Sequence, residues 1–292
     1  MRIQVLDHHF LGASQTVASF LVEGPGGHVL IETGPASTLS TMEGHLADRG
    51  LKPGDIAAVL VTHIHLDHAG ACGWWARHGC PIYVHEQGAP HLIDPSKLLA
   101  SAARIYRDRM QELWGTVEPV PEAQVRALTD GQQVEVAGLK FVVHDTPGHA
   151  RHHMAFQLED VAFTGDVAAV RLAGGKFISL PAPPPEFDRE AWKASLEKLA
   201  RLELSALYLT HFGRFDDVAA HLATIDGLLD KTVEFFEQNH HLEGDALTRA
   251  YRQWDQARAA ADGVGTDDYD RYEKANPTFM SVTGVKRYLS KR

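Results

Sequence analysis

The stretch Thr62-His63-Ile64-His65-Leu66-Asp67-His68 decides how this sequence is interpreted. It continues an apolar run over 56–62, IAAVLVT, which is typical of a strand buried on both faces. Residues i and i+2 of an extended segment point the same way, so we expect His63 and His65 to converge on one ion. Asp67 and His68 follow where the chain begins to turn, and we expect them to reach a neighbouring point. Since polar groups beside an apolar strand need partners and histidine is the commonest metal ligand, the segment predicts a metal site.

Three later polar residues also stand directly after apolar, strand-like runs. His149 ends Thr146-Pro147-Gly148-His149, Asp166 ends Thr164-Gly165-Asp166, and His211 ends Leu209-Thr210-His211. Alone, each would be interpreted as an ordinary loop residue. Together with the H-x-H-x-D-H segment they supply five histidines and two aspartates at strand ends, which predicts one shared centre.

Seven ligands suit two metal ions better than one. The expected ligands are His63, His65 and His149 for one ion, Asp67, His68 and His211 for the other, and Asp166 as a bridge. A nitrogen and oxygen set without cysteine suits Zn, Mn or Fe, and Zn²⁺ is the first expectation. Two ions about 3.5–4 Å apart can share a hydroxide that attacks a carbonyl near neutral pH. Asp67 is the candidate catalytic residue, because it would orient this hydroxide and accept its proton.

Composition and charge narrow the class of protein. The chain has 28 Lys and Arg residues against 38 Asp and Glu residues, and its net charge is −10. An acidic chain lacks the basic field that nucleic-acid binders need, so no nucleic-acid partner is expected. The N-terminus, MRIQVLDHHF, lacks a signal-peptide pattern, and no apolar run is long enough to span a membrane. The two cysteines are too few for a disulfide framework, so a cytoplasmic protein is predicted.

The order of local patterns predicts an α/β protein with a helical tail. Strand-like runs joined by hairpin signals, such as Gly24-Pro25-Gly26-Gly27, occupy the first half, with helical patterns between them. One helix is predicted over 98–113 and another over 189–202, and the last strand over 204–210. After residue 216 the pattern becomes helical, and Pro277 is expected to end the last helix. Two sheets packed face to face with helices outside fit this order.

In type and order, the seven candidate ligands resemble the metallo-β-lactamase superfamily. The motifs around His149 and Asp166 look like those of its hydroxyacylglutathione hydrolase (glyoxalase II) and lactonase-like branches. Ile31-Glu32-Thr33-Gly34 is similar to an early acidic turn of the family, with Glu32 where aspartate is usual. The resemblance implies that Glu32 supports the site without binding metal. It also implies a four-layer αβ/βα sandwich of two mixed β-sheets, with the site at one edge.

For the organisation of the chain, the resemblance implies a catalytic domain over 1–215. It further implies a helical C-terminal extension over 216–292 that packs on or near the active site. The implied activity is that of a dinuclear metal-dependent hydrolase acting on an ester, a hydroxyacylglutathione-like thioester or a lactone. Three alternatives stay open: an iron-dependent persulfide dioxygenase, a phosphodiesterase, and a non-enzymatic regulatory member. The acidic balance weighs against the phosphodiesterase, and the complete second ligand set favours hydrolysis over oxidation at one iron.

Three residues near the predicted ligands are candidates for substrate binding. Arg171 follows Asp166 by five residues and is expected to bind an anionic group of the substrate. His152 follows His149 closely, and Phe187 lies in the proline-rich loop LPAPPPEFD over 180–188. The expected partner is a small-molecule acyl substrate, with no membrane partner. The helical tail is compatible with a homodimer, although no residue pattern demands one.

Overall fold

The computed structural model describes residues 2–292, and within this range twelve strands form two six-stranded mixed sheets. The chain divides into two compact units. Unit 1 is the chain up to Asp145 together with His152–Glu159, and unit 2 is Thr146–Arg151 together with Asp160–Arg292. The two mixed sheets with accompanying helices confirm the fold class predicted from the sequence.

Unit 1 holds nine strands and six α-helices among its described residues. The strands are β1 (Arg2–Asp7), β2 (Ala18–Gly24), β3 (Gly27–Ile31), β4 (Ile56–Leu60), β5 (Ile82–His85), β6 (Val125–Leu128), β7 (Gln133–Val136), β8 (Leu139–Asp145) and β9 (Met154–Leu158). The helices are α1 (Leu39–Ala47), α2 (Leu66–Ala69), α3 (Cys72–Arg77), α4 (Ala89–Ile93), α5 (Ser96–Tyr106) and α6 (Met110–Trp114). Strands β1 to β6 form one sheet in chain order, antiparallel from β1 to β3 and parallel from β3 to β6.

The parallel pairing of β3 with β4 positions the first group of polar residues. Ile31 lies opposite Leu60, so the residues that follow both strands emerge at the same edge of the sheet. The backbone N–H of Glu32 donates to the carbonyl of Leu60 at 2.9 Å, which continues the pairing one step further. As a result, Glu32 and the Thr62–His68 segment share this edge.

Apolar side chains from this sheet and its helices form the core of unit 1. Leu30 and Val59 on the central strands are fully buried, as are Met42 of α1 and Trp75 of α3 in the same cluster. The apolar run of β4 is buried except at Ala57, as expected for a strand covered on both faces. The burial of these apolar side chains stabilises β4, the strand that precedes the Thr62–His68 segment.

Unit 2 holds three strands and five α-helices among its described residues. They are β10 (Val161–Phe163), α7 (Arg189–Ala200), β11 (Ala206–Leu209), β12 (Gly213–Phe215), α8 (Val218–Gln238), α9 (Gly244–Ala261), α10 (Thr266–Ala275) and α11 (Thr278–Leu289). Strand β11 is parallel to β10 and antiparallel to β12. A short 3₁₀ helix, Gly165–Ala168, follows β10. The helical C-terminal region predicted from the sequence is therefore present.

Several local predictions need correction. Pro277 follows the end of α10 at Ala275, as expected of a helix breaker, but it is also the N-cap residue of a further helix, α11, which was not predicted separately. The helix predicted over 98–113 is two helices, α5 and α6, with Arg107 at a positive φ of 51° between them. The short strands β6 and β12 carry no clear alternation of apolar residues, so the sequence pattern does not predict them.

Within residues 2–292, none of the helices is both apolar enough and long enough to cross a membrane. The cytoplasmic location stays a prediction.

Candidate metal centre

The first group of candidate ligands, called here the contiguous set, is His63, His65, Asp67 and His68 in unit 1. His63 Nε2 lies 2.9 Å from His65 Nδ1, and the rings of His63 and His68 have centroids 4.0 Å apart. His68 Nε2 lies 3.8 Å from the Asp67 carboxylate. His63 and His68 are buried, whereas the Asp67 side chain is 21% exposed. The segment therefore gathers its donor atoms at the end of β4, as the i, i+2 spacing predicts.

Glu32 supports this set from the end of β3. Its buried carboxylate accepts hydrogen bonds from Thr62 Oγ1 at 2.5 Å and from the Thr62 backbone N–H at 3.2 Å. It also lies 3.1 Å from His68 Nδ1, which must donate to it. Since the Thr62 hydroxyl donates to Glu32, it accepts from His63 Nδ1 at 3.1 Å. Both imidazoles are thus held in the tautomer that leaves Nε2 as an acceptor, the form a metal requires.

The second group, called here the dispersed set, is His149, Asp166 and His211 in unit 2. His149 Nε2 lies 3.2 Å from Asp166 Oδ2, and His211 Nε2 lies 3.4 Å from Asp166 Oδ1. The two imidazoles face opposite oxygens of one carboxylate, and all three side chains are at least 94% buried. The parallel pairing of β10 and β11 explains the meeting of Asp166 with His211, because both follow strands that end at the same edge.

His149 is oriented by its surroundings in the same manner as His68. Its Nδ1 donates to the carbonyl oxygen of Pro181 at 2.7 Å, which leaves Nε2 free of the proton and turned to Asp166. Gly148, at φ +135°, packs so closely against the backbone of Trp192 that a Cβ would overlap it. The Pro-Gly pair before His149 therefore has a structural reason: it lets this loop lie directly on α7.

The donor chemistry of both sets fits divalent metal ions. Each of the seven side chains belongs to a group able to hold an ion. Metal–nitrogen bonds are about 2.0–2.1 Å long, so two ring nitrogens 2.9 Å apart can both reach one ion. Ligand imidazoles characteristically donate their other N–H to a carboxylate or a carbonyl, as His68 and His149 do.

The structure places the predicted substrate residues in different settings. His152 and its neighbour His153 lie against His63, with ring centroids 6.1 and 5.0 Å away. Phe187 is buried in unit 2, where it contacts the rings of Trp192 and Tyr288 and helps to line a cavity of about 230 Å³. The Arg171 guanidinium contacts Asp217 and lies over the ring of Phe215. Substrate binding by these residues stays a prediction.

Sequence reasoning missed His221, a buried histidine of α8. Its Nε2 donates to the carbonyl oxygen of Ala168, the last residue of the 3₁₀ helix that contains Asp166. Burial lowers the pKa of His221 to about 4, so the ring is neutral at neutral pH. A histidine inside a helical pattern carries no local signal, and only its position against Ala168 reveals its relation to Asp166.

Residues 14–211 match the family model of the metallo-beta-lactamase superfamily, a range that includes all seven candidate ligands. The chain belongs to the metallo-β-lactamase superfamily. Members of this superfamily are mostly metal-dependent hydrolases and typically bind divalent metals.

Similar proteins include two sequences and one solved structure. The metallo-β-lactamase fold-containing protein ST1585 of Sulfurisphaera tokodaii is 26% identical over 159 residues, which are 53% of this chain and 60% of that protein. This chain therefore spans less than two thirds of that relative. The lactamase-like protein aptB of Emericella nidulans is 28% identical over 273 residues, which are 92% of this chain and 70% of that protein.

The solved structure is the crystal structure of the metallo-β-lactamase family protein TTHA1429 from Thermus thermophilus. It is 24% identical, with a TM-score of 0.67 over 99% of this chain and 93% of that chain. At this identity the likeness establishes the metallo-β-lactamase fold.

Proposed function

We propose that this member of the superfamily is a hydrolase that uses two divalent metal ions, Zn²⁺ first among them, to cleave an ester, a thioester or a lactone. The observation that carries the proposal is the donor chemistry of the two ligand sets. Each set presents imidazole nitrogens whose tautomer is fixed by an oxygen partner, Glu32 in one case and the Pro181 carbonyl in the other. The second nitrogen of each of these rings faces a candidate ligand, Asp67 for His68 and Asp166 for His149, and metal-ligating histidines almost always donate their other ring N–H to an oxygen in this way.

The proposed assignment follows the family pattern. One ion would be held by His63, His65 and His149, the other by Asp67, His68 and His211, and both by Asp166. Within unit 2, the Asp166 carboxylate supports a bridging role because each of its oxygens faces a different imidazole.

The protein side chains then have distinct tasks. When bound, the ions supply a hydroxide near neutral pH and polarise the carbonyl that it attacks. Asp67 orients the attacking water through one carboxylate oxygen and accepts its proton. Its partial exposure, against the full burial of His68, is consistent with access to solvent and substrate. Glu32 and Thr62 keep the imidazoles of His63 and His68 from turning away.

The proposed partner is a small-molecule acyl compound. The ligands act on any acyl carbonyl, so they do not choose among an ester, a thioester and a lactone. Phe187 and His152 are proposed to contact the substrate.

A substrate panel tests the proposal. Metal-loaded protein is assayed on aryl esters, glutathione thioesters, lactones, β-lactams and phosphodiesters, before and after chelation, with elemental analysis of the same sample. We expect turnover of at least one acyl class, its loss on chelation and its return with Zn²⁺. The variant Asp67→Asn should lose turnover while binding metal, and Asp55→Asn, an exposed carboxylate of unit 1, is the matched control. Turnover of phosphodiesters alone, or oxygen uptake on glutathione persulfide by an iron-containing sample, would contradict the proposal.

A further inference from the structure

Arg171 is bonded through its backbone to the loop that carries His211. The Arg171 N–H donates to the carbonyl oxygen of His211 at 2.6 Å, and the N–H of Phe212 donates back to the carbonyl oxygen of Arg171 at 3.0 Å. The carbonyl and the N–H of the His211–Phe212 peptide group are therefore both held by one residue. Any displacement of Arg171 would move the backbone of His211 with it.

The Arg171 side chain is itself held from several directions. Its Nη1 donates to both carboxylate oxygens of Asp217 at 2.9 Å, and its Nε donates to the carbonyl oxygen of Gly175 at 2.8 Å. The guanidinium carbon lies 4.4 Å from the centroid of the Phe215 ring, and the side chain is only 12% exposed. Partial burial would raise the pKa of Asp217, but the hydrogen bond and the positive charge of Arg171, together with smaller contributions, lower it overall. The pair is therefore charged at neutral pH.

His221 links the same arginine to the loop that carries Asp166. Because a carbonyl oxygen only accepts, His221 Nε2 carries the proton that it shares with Ala168 at 2.8 Å. His221 Nδ1 is then an acceptor, and it lies 3.2 Å from Arg171 Nη1. Asp217 precedes the first residue of α8, and His221 lies in its first turn. Helix α8 thus contacts the loops of two dispersed-set ligands through one network.

We propose that Arg171, Asp217 and His221 form a positioning network, which fixes the separation of Asp166 from His211 and so sets the metal affinity of the dispersed set. The proposal rests on the proposed function, since it assumes that Asp166 and His211 bind metal. Residues that orient metal ligands directly change metal affinity by roughly 10- to 100-fold when mutated. This network acts one contact further out, so a loss of about tenfold is expected.

This role differs from the anion binding that the sequence predicts for Arg171, and Asp217 separates the two. If Arg171 bound a substrate anion, removing Asp217 would leave the guanidinium available and metal affinity unchanged. If Arg171 is a positioning residue, Asp217 and Arg171 act together, and losing either has a similar effect on metal affinity.

The test is chelator competition for Zn²⁺ and Co²⁺ on the full chain, together with the visible absorption spectrum of the Co²⁺ form. The variants are Arg171→Met, Asp217→Asn, their double mutant and the conservative Arg171→Lys. We expect about tenfold weaker binding in each single variant, no further loss in the double mutant, a shifted Co²⁺ spectrum, and partial recovery in Arg171→Lys. Thermal unfolding of the metal-free variants establishes that each one folds.

Arg258→Met is the matched control, because Arg258 also forms a partly buried ion pair in unit 2, with Asp255 at 2.7 Å. It should lower the unfolding temperature and leave metal affinity unchanged. Wild-type affinity in folded Arg171→Met, or a change in KM alone, would overturn the positioning role. So would an equal loss of affinity in Arg258→Met. Failure of the wild-type chain to bind either ion would instead refute the proposed function.

Discussion

The contiguous and dispersed ligand sets reach similar geometry by different means. The four ligands of the contiguous set lie within six residues, His63 and His65 in the connection after β4, and Asp67 and His68 in α2. His63 Nε2 lies 2.9 Å from His65 Nδ1, as the i, i+2 spacing of an extended segment predicts. The three ligands of the dispersed set are separated by 17 and 45 positions in the sequence. They meet because β10 and β11 are parallel neighbours and because α7 and α8 hold the loops.

This difference predicts which substitutions should weaken metal binding by each set. In the contiguous set a buried carboxylate, Glu32, supports His68 directly and His63 through Thr62. The dispersed set depends on many tertiary contacts, including Arg171 and His221. Local changes should therefore weaken the first set at few positions and the second at many.

The largest expected effect comes from replacing the carboxylate shared by two imidazoles. Asp166→Ala should lower metal affinity by more than about 100-fold, because loss of a ligand exceeds the 10- to 100-fold effect of losing its orienting partner. Asp67→Ala should retain at least one ion through the His63–His65 pair. Elemental analysis and chelator competition measure both, with the exposed Asp216→Ala as control. Equal metal content in Asp166→Ala and the wild type would refute the bridging role.

The second effect is a loss of stability at acid pH that results from protonation of His221. Its folded pKa of about 4 lies below the ordinary value of 6.5, so folding favours the neutral ring. The resulting stability is present above pH 6.5 and is lost as the pH falls toward 4, by up to about 3 kcal/mol. Urea unfolding of the metal-free protein is measured between pH 7.5 and 4.5. Over this range the free energy of unfolding should fall more steeply with decreasing pH in the wild type than in His221→Gln. Parallel curves for the two proteins would show that His221 does not contribute.

The third effect tests the support that Glu32 gives to the contiguous set. Glu32→Gln removes the charge that holds His68 Nδ1–H, so metal affinity should fall by roughly 10- to 100-fold. The exposed Glu23→Gln in the same sheet is the control. Chelator competition at one pH measures the change. A loss of metal affinity as small as that in Glu23→Gln would mean that Glu32 does not fix the tautomer of His68.

The smallest effect concerns α7, the helix against which Gly148, the neighbour of His149, packs. Asp188 caps α7 by accepting a hydrogen bond from the Ala191 N–H at 3.0 Å. Asp188→Ala should lower the free energy of unfolding by about 1 kcal/mol. Metal affinity should stay at the wild-type value, because Gly148 accepts its hydrogen bond from the backbone of residue 188, which the variant retains. A large loss of affinity would show that the cap also positions His149.

Much of the fold was predictable because it follows local patterns. The apolar run before His63 predicts β4, and alternation around Gly138 predicts the hairpin of β7 and β8. The short strands β6 and β12 and the helix α11 were not predictable, since their formation depends on neighbours distant in sequence. The supporting role implied for Glu32 agrees with its contact to His68, whereas His221 gave no sequence signal.

The sequence by itself determined which side chains are candidate ligands, and it predicted that His63 and His65 converge, because side chains two positions apart in an extended segment point the same way. It also identified the family, through the type and order of seven residues. Only the tertiary structure decided the partners of those ligands: Glu32 for His68, Pro181 for His149, and the Asp217 pairing of Arg171. Hydrogen bonds between residues distant in the chain depend on strand pairing and helix packing, and no local pattern records them.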